Sequence, residues 1–595
     1  MRTFLSVWQL LDRRQKLVFI SLQALAVLMA CSTVGGVAAV LPFFTVLSES
    51  EALRRHPFLL ALYDRLHFES ERRFVVVLGV AFVIAVVLAS GINLFGTRAM
   101  NRFAARIGER FHTELFDDYL HRSYAFHLRT NSAQLVSNVV HATTRATAGV
   151  LRSGLVLIAN AVTIAFIAGS LIWVNPWVAV ATLVGFGSCY LAVYTAVQGR
   201  LLRNGRSETR DYVARTQVIN ESFLAIKELL VLHAQRPFAE KFARYCRSIS
   251  NTIVDTLTIA HSPKYILEGA AVCALVSIAL HLSRQQNDAD PWVAQLSFIG
   301  FAAYRLLPAM QEAFAALVRI RAEIPAFESI AADLRSARGR AGKRPASVMT
   351  KAAGPPDLLL RELSFAYASD RPAVLDHLTL HVPAGAVVGL VGVNGCGKST
   401  LLDLIVGLLE PQGGSVEVNG VALDDRNRAW WQASIAYVPQ SIALLDATIA
   451  ENIALGVPAA RVDRNKVRAA ARLARLENYV DTLPRGYDEL IGERGAWLSG
   501  GQRQRLGIAR ALYREASVLV MDEATSALDM AAERTIMDLL VDRCRERGET
   551  MILVAHRPSA LRLCDVIYEL ANGRIVRRGA AGQFLAQWGS PVSAS

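Results

Sequence analysis

The sequence predicts an α-helical membrane domain of six transmembrane helices followed by an α/β P-loop nucleotide-binding domain. Apolar residues make up 53% of the 595 and charged residues only 19%, mean hydropathy is +0.30, and the long uncharged runs fall in the first 320 positions. A phosphate-loop pattern at 392–399 and an acid pair closing an apolar strand at 522–523 mark the second half. A wholly soluble protein is thereby excluded. The formal charge of +13 lies largely between apolar runs, so it reads as membrane topology and not as a nucleic-acid surface. Seven cysteines without C-x-x-C or Cys/His ligand spacing exclude a disulfide framework and a zinc site.

The spans follow in order. Residues 17–48 and 74–97 are uncharged, and each exceeds the roughly 20 residues needed to cross about 30 Å of hydrocarbon. The first is too long for the core of a cleaved signal and reads as an anchor. Residues 153–199 carry no charge, and Asn175-Pro176-Trp177 near their middle supplies a turn with an interfacial aromatic, so this run is two helices. A fifth run covers 262–283, and a sixth begins at Pro291-Trp292 and passes Tyr304.

Charge sets the orientation. Segment 98–152 has eight Arg against four acids, 200–264 has eleven Arg/Lys against six, and 48–73 is balanced at five and five. The positive-inside bias places 98–152, 200–264 and both termini in the cytoplasm. The two basic segments are helix-patterned without Gly/Pro clusters, so long helices should project below the membrane. The expected domains are 1–330 for the membrane part, 331–355 for a flexible linker rich in Arg, Lys, Gly, Ala and Pro, and 356–595 for the nucleotide-binding part.

In the last of these, the strand-like 386–391 leads into Gly392-Val393-Asn394-Gly395-Cys396-Gly397-Lys398-Ser399-Thr400 and then an apolar helix. That is G-x-x-x-x-G-K-S in its strand-loop-helix setting. Glycines let backbone N–H groups close on phosphate oxygens, Lys398 reaches the β/γ-phosphates, and Ser399 offers its hydroxyl to Mg²⁺. Downstream, 518–523 is a strand ending in Asp522, suited to hold Mg²⁺, and Glu523, suited to orient or deprotonate the attacking water. The sequence Leu498-Ser499-Gly500-Gly501-Gln502 precedes it, Ser526-Ala527-Leu528-Asp529 follows it, and His556 comes after the next strand.

With these motifs in this order, the sequence resembles the ATP-binding cassette (ABC) transporters of the exporter type over nearly its whole length. The resemblance implies ATP and Mg²⁺ as cofactors, Tyr367 stacked on adenine, and Gln440 sensing Mg²⁺ and facing the membrane domain. It implies that His556 contacts the γ-phosphate, that the signature Leu498 to Gln502, with Ser499, Gly500, Gly501 and Gln502 binding nucleotide, closes over ATP bound by a second copy, and that Asp529 belongs to the nucleotide-binding set. Gly492-Glu493-Arg494-Gly495 is similar to the exporter segment that contacts intracellular helices. One cassette and one six-span domain, with Glu523 and the signature intact, imply a homodimer in a bacterial inner membrane.

For cargo, the ionisable residues in the spans are informative, because charge at the centre of a membrane helix is costly and marks a cavity or a pair. Lys264 and Glu268 lie one turn apart in the fifth span, and Arg305 is about fourteen residues into the sixth. They read either as an anion-attracting site for a headgroup such as a pyrophosphate, or as a Glu268–Arg305 ion pair. Segments 264–269, 304–308 and 40–44 are similar to the bacterial lipid-linked oligosaccharide flippases of protein glycosylation, which carry a further basic residue in the second helix where 74–97 has none. That similarity implies flipping of a polyprenyl-diphosphate-linked oligosaccharide to the outer leaflet; the alternative is an exporter of peptides or hydrophobic small molecules.

Overall fold

The computed structural model describes residues 2–38, 63–65, 70–174, 176–285, 292–341, 354–368 and 370–586. The 40–44 motif, most of 48–73 and the side chain of Arg305 lie outside the described residues. The chain divides into two compact units, one of residues 1–122 with 126–344 and one of 345–595 with 123–125.

The described residues of the first unit form helices and their turns: α1 (Arg2–Gln9), α2 (Arg13–Ala38), α3 (Glu71–Leu120), α4 (Tyr124–Arg129), α5 (Ser132–Ser137), α6 (Ser153–Val174), α7 (Pro176–Leu224), α8 (Ile226–Val231), α9 (Gln235–Gln285) and α10 (Trp292–Ala341). Between α5 and α6 the chain stays helical through two π-helical passages, Asn138–Ala142 and Ala146–Arg152, separated by the α-helical turn Thr143–Arg145. Four helices, α3, α7, α9 and α10, run 49 to 51 residues. At 1.5 Å per residue each is about 75 Å long, more than twice the hydrocarbon thickness. The projecting helices expected from the basic segments are therefore continuous with the spans.

Among the described residues, Arg13–Gly35, Arg72–Leu120 and Ser132–Trp173 are long and apolar enough to cross a membrane. On α3 the valines and leucines 76, 80, 83, 87, 88 and 94 face outward, a surface that suits lipid and not water. Trp173 and Trp177 are 88% and 84% exposed on either side of the α6–α7 turn, the expected placement of interfacial aromatics. Inside, Leu155, Ile167, Leu201, Leu306, Ile330 and Leu334 are fully buried.

The expected linker start at 331 is corrected. Helix α10 continues through Ala341, and Ala331, Leu334 and Ala337 are buried at helical spacing. The basic residues that resembled a solvated tether are paired: Arg340 with Asp118 at 2.8 Å, and Arg338 with Glu114 at 3.6 Å. Asp333 of the same stretch receives Arg122 at 2.8 Å. Residues 342–353 lie outside the described residues.

The second unit begins with β1 (Leu358–Phe365), β2 (Leu375–Val382) and β3 (Val387–Val391), then α11 (Lys398–Ile405), β4 (Gly413–Val418), β5 (Val421–Ala422), α12 (Arg428–Ala433) and β6 (Ile435–Val438). It continues with α13 (Ile449–Ile453), α14 (Arg464–Leu473), α15 (Gly500–Tyr513), β7 (Val518–Asp522), α16 (Met530–Arg547), β8 (Thr550–Val554), β9 (Val566–Ala571) and β10 (Arg574–Gly579). The main sheet runs β10-β9-β3-β8-β7-β6, parallel except at β10. A four-stranded antiparallel sheet, β2-β1-β4-β5, packs beside it. Strands β3, β7 and β8 are buried at every position, which is why their sequences, apart from Asp522 and Thr550 at strand ends, are apolar runs without alternation. The phosphate loop leaves the carboxyl end of β3 and the acid pair closes β7, the edge of a parallel sheet where ligands bind.

Trp431 of α12 is fully buried, with its indole N–H donating to the Ile405 carbonyl at 2.6 Å. Trp431→Ala should destabilise this unit by about 3–5 kcal/mol, read as a lower unfolding midpoint by hydrogen exchange in β3 and β7. Trp497→Ala, at a residue 69% exposed, should shift that midpoint far less.

Candidate nucleotide site

The loop 392–397 owes its path to glycine. Gly392, Gly395 and Gly397 have φ of +154°, +83° and +107°, backbone that side-chain-bearing residues rarely adopt. A Cβ on Gly392 would lie 2.3 Å from the Leu570 carbonyl oxygen, and one on Gly397 would lie 2.9 Å from Leu375. The loop therefore lies flat on β9 and β2. The N-terminal amides of α11 point out of this loop, forming a cradle for anionic oxygens.

Lys398 is buried, and its Nζ donates to the carbonyls of Gly392 at 2.8 Å and Val393 at 3.0 Å. The ammonium is thus held over the loop where phosphate oxygens would compete for it. Cys396 is buried in the apolar core of the unit, so its contribution to the cradle is backbone alone. Asn394 and Ser399 are exposed. Thr400 is buried, and its hydroxyl is 2.9 Å from that of Tyr367. Tyr367, expected to stack on adenine, is edge-on to Phe365 with centroids 5.2 Å apart, so one hydroxyl contact ties it to the start of α11.

The strand end gathers the acids. Asp522 is 4% exposed, and the Ser399 hydroxyl hydrogen-bonds to it. Burial raises its pKa, with the Ser399 hydrogen bond and Lys398 opposing and Glu523 reinforcing the shift. A hydroxyl and a carboxylate converging here are hard oxygen donors that fit Mg²⁺. Glu523 adopts φ +49°, an uncommon backbone for this residue type that over-determined surroundings must hold. Its Oε2 accepts from Gln440 Nε2 at 2.9 Å, and its Oε1 is 2.6 Å from His556 Nε2. Three residues spread over 116 positions, each expected at the reaction centre, therefore meet as one hydrogen-bonded set.

The signature opens α15. Ser499 caps the helix, its Oγ accepting from the Gln502 amide at 3.3 Å while Gln502 Oε1 accepts from the Ser499 amide at 2.7 Å. Ser499 and Gly500 are exposed, and a Cβ at Gly500 would meet Ala527 at 3.4 Å. Asp529 caps α16 by accepting from the Ala532 amide at 2.8 Å.

Two participants escaped the sequence reading. Gln504 is buried and clasps the segment after the acids, donating to Ser526 Oγ at 3.0 Å and accepting from the Ala527 amide at 2.8 Å. Its signal was a polar residue four positions before Ile508 on an apolar stripe. Asp403, one turn after Ser399, has its pKa raised to about 6 by burial and by Asp522. In the membrane unit, Lys264 Nζ is 3.7 Å from Glu268 Oε1, so the lysine one turn away is Glu268's observed partner. The expected Glu268–Arg305 pair rests on a side chain outside the described residues.

A phosphate cradle, an acid pair and a signature helix, joined in one chain to long membrane helices, define an ATP-driven membrane transporter. Residues 20–280 match the family described as ABC transporter transmembrane region, and 375–526 match ABC transporter. The chain is 30% identical over 526 residues to an ATP-dependent lipid A-core flippase of Chromohalobacter salexigens, covering 86% of each. It is 30% identical over 519 residues to the protein of that name from Pseudoalteromonas atlantica, again over 86% of each. A solved structure of a bacterial Atm1-family ABC exporter with ATP bound superposes with TM-score 0.73 over 95% of this chain and 99% of that one, at 22% identity, which speaks to fold. The chain belongs to the ABC transporter family, as an exporter-type half-transporter that binds ATP.

Replacing Glu523 with Gln keeps both hydrogen-bonding positions and removes the carboxylate expected to act on the attacking water. ATP hydrolysis should fall by about 10²–10⁴-fold while nucleotide affinity holds; an ATPase rate near wild type would remove Glu523 from its assigned role.

Proposed function

We propose that this chain works as a homodimer in a bacterial inner membrane, with both termini cytoplasmic, using Mg²⁺-ATP to flip a phosphate-bearing glycolipid from the cytoplasmic to the outer leaflet. The observation that carries the reading is Glu523 fastened between Gln440 and His556 beside Asp522, in a chain that also contains the exporter-type membrane domain. Ser399 and Asp522 would hold Mg²⁺, which neutralises phosphate charge when bound. Glu523, set by its two partners, orients the attacking water, and His556 reads the γ-phosphate. Tyr367 serves the adenine, and the signature, residues 499–502, with Ser499 and Gly500 exposed, closes on nucleotide held by the second copy.

Lys264 supports an anionic cargo. It sits near the cytoplasmic entry of the fifth span, partly exposed and only loosely engaged by Glu268 at 3.7 Å, so a phosphate can compete for it. With Arg305 in the sixth span it forms the headgroup site of the proposal, and the finer cargo is a polyprenyl-diphosphate-linked oligosaccharide. The relatives, named as lipid A-core flippases, favour a second reading, lipid A-core; the two cargoes share sugar and phosphate and differ in their tails.

The test is ATP-dependent translocation in proteoliposomes loaded in parallel with a fluorescent polyprenyl-diphosphate oligosaccharide and with lipid A-core, using Glu523→Gln as the blank. Movement of the first alone supports the finer cargo, movement of the second alone replaces it, and movement of neither with ATPase intact points to a peptide or drug exporter. Lys264→Ala should lower translocation several-fold with basal ATPase little changed, and Lys264→Arg should restore it.

A further inference from the structure

In the cytoplasmic extensions of the membrane unit, three helical segments meet around two carboxylates and one guanidinium. Arg145, in the α-helical turn between the two π-helical passages, places Nε 2.7 Å from Glu323 Oε2 on α10 and Nη2 3.1 Å from Glu208 Oε2 on α7. Its Nη1 donates to Thr209 Oγ1 at 3.2 Å. The three charged side chains are 11%, 20% and 8% exposed for Arg145, Glu323 and Glu208.

The backbones are at close approach at the same level. A Cβ on Gly149 would lie 2.2 Å from Glu323 Cγ, and one on Gly205 would lie 1.9 Å from the Ala322 carbonyl oxygen. One turn beyond Glu208, Tyr212 is tilted against His141 with centroids 4.7 Å apart, and the guanidinium groups of Arg145 and Arg215 lie 5.4 and 4.7 Å from its ring. Among the described residues, these titratable and charged groups stand next to the cluster.

Two carboxylates against one guanidinium leave one negative charge unmatched where water is largely excluded, and such a site lowers its free energy by taking up a proton. His141 does not supply the missing positive charge, because burial and then Arg215 and Arg145 lower its pKa. Burial, opposed by Arg145 and reinforced by Glu208, raises Glu323 to about 7, and burial raises Glu208 as well. The π-helical passages on either side of Arg145 are a geometry that is rare and concentrated at functional positions.

We propose that Arg145, Glu208 and Glu323 form a proton-dependent clasp, in which the packed crossing holds while one carboxylate carries a proton and loosens when that proton leaves. The sign follows from the direction of the shift. A carboxyl raised from its ordinary value near 4.5 to about 7 favours the packed crossing most at low pH. That advantage is lost as pH climbs from about 4.5 to 7, by up to tenfold in the equilibrium per pH unit, and changes no further above that.

Hydrogen exchange of the full chain in lipid nanodiscs tests this, with rates at pH 5.5 and 7.5 corrected for intrinsic chemistry. In the wild type, peptides spanning 138–152 and 200–212 should open at least tenfold more at pH 7.5, while peptides from β3 and β7 should show no change. Glu323→Gln mimics the protonated group and should hold the crossing closed at both values. Glu208→Gln leaves one acid for one arginine and should also abolish the response, keeping the test intact if the first variant folds poorly. Equal wild-type protection at the two pH values, or a pH response surviving in the variants, would overturn the clasp.

Discussion

Hydrocarbon offers the backbone no hydrogen-bonding partner, so a chain that enters it must satisfy each amide and carbonyl within its own helix. Much of the membrane unit follows from that demand. Helices α3, α7, α9 and α10 do not stop at the membrane surface but continue as single rods of 49 to 51 residues. Breaking them would leave up to four unpaired groups at each new end. Pro263, Pro308 and Pro325 lie inside such helices without dividing them. The C-terminal ends of α3 and α10 are then fastened by charge: Arg122, Asp118, Asp333 and Arg340 link them in one network.

The nucleotide unit answers a different constraint, that of aiming functional groups from a rigid edge. Strands β3 and β7 flank β8 in a parallel sheet, so the loop after β3 and the acids ending β7 open on the same side. Gln504 ties α15 to the segment that follows Glu523. A shift of that segment is thus transmitted to the signature at the start of the same helix.

Much of this was legible because it is written locally. Uncharged runs mark spans, unbroken apolar strands mark the parallel sheet, and G-x-x-x-x-G-K-S fixes a loop whose chemistry depends on neighbours in sequence. The Lys264–Glu268 contact at 3.7 Å was not read, because the sequence reading paired Glu268 with Arg305. What could not be read depends on partners far along the chain. Residues 331–341 looked like a tether by composition, yet Arg340 meets Asp118 across 222 positions. Arg145 looked like one more basic residue of a cytoplasmic segment, because Glu323 lies 178 positions away. The hydroxyl link between Tyr367 and Thr400 has no sequence signal at all.

Gly205 marks a backbone-to-backbone approach of α7 to α10. With no Cβ between it and Ala322, the two helices come together there, 29 residues from Pro176 and 19 from Leu224, and Tyr190 packs on Phe314 further along the same seam. The two arms are about 44 and 28 Å long. A rigid tilt about that point would swing the Pro176 end of α7 roughly half as far again as the Leu224 end, in the opposite direction.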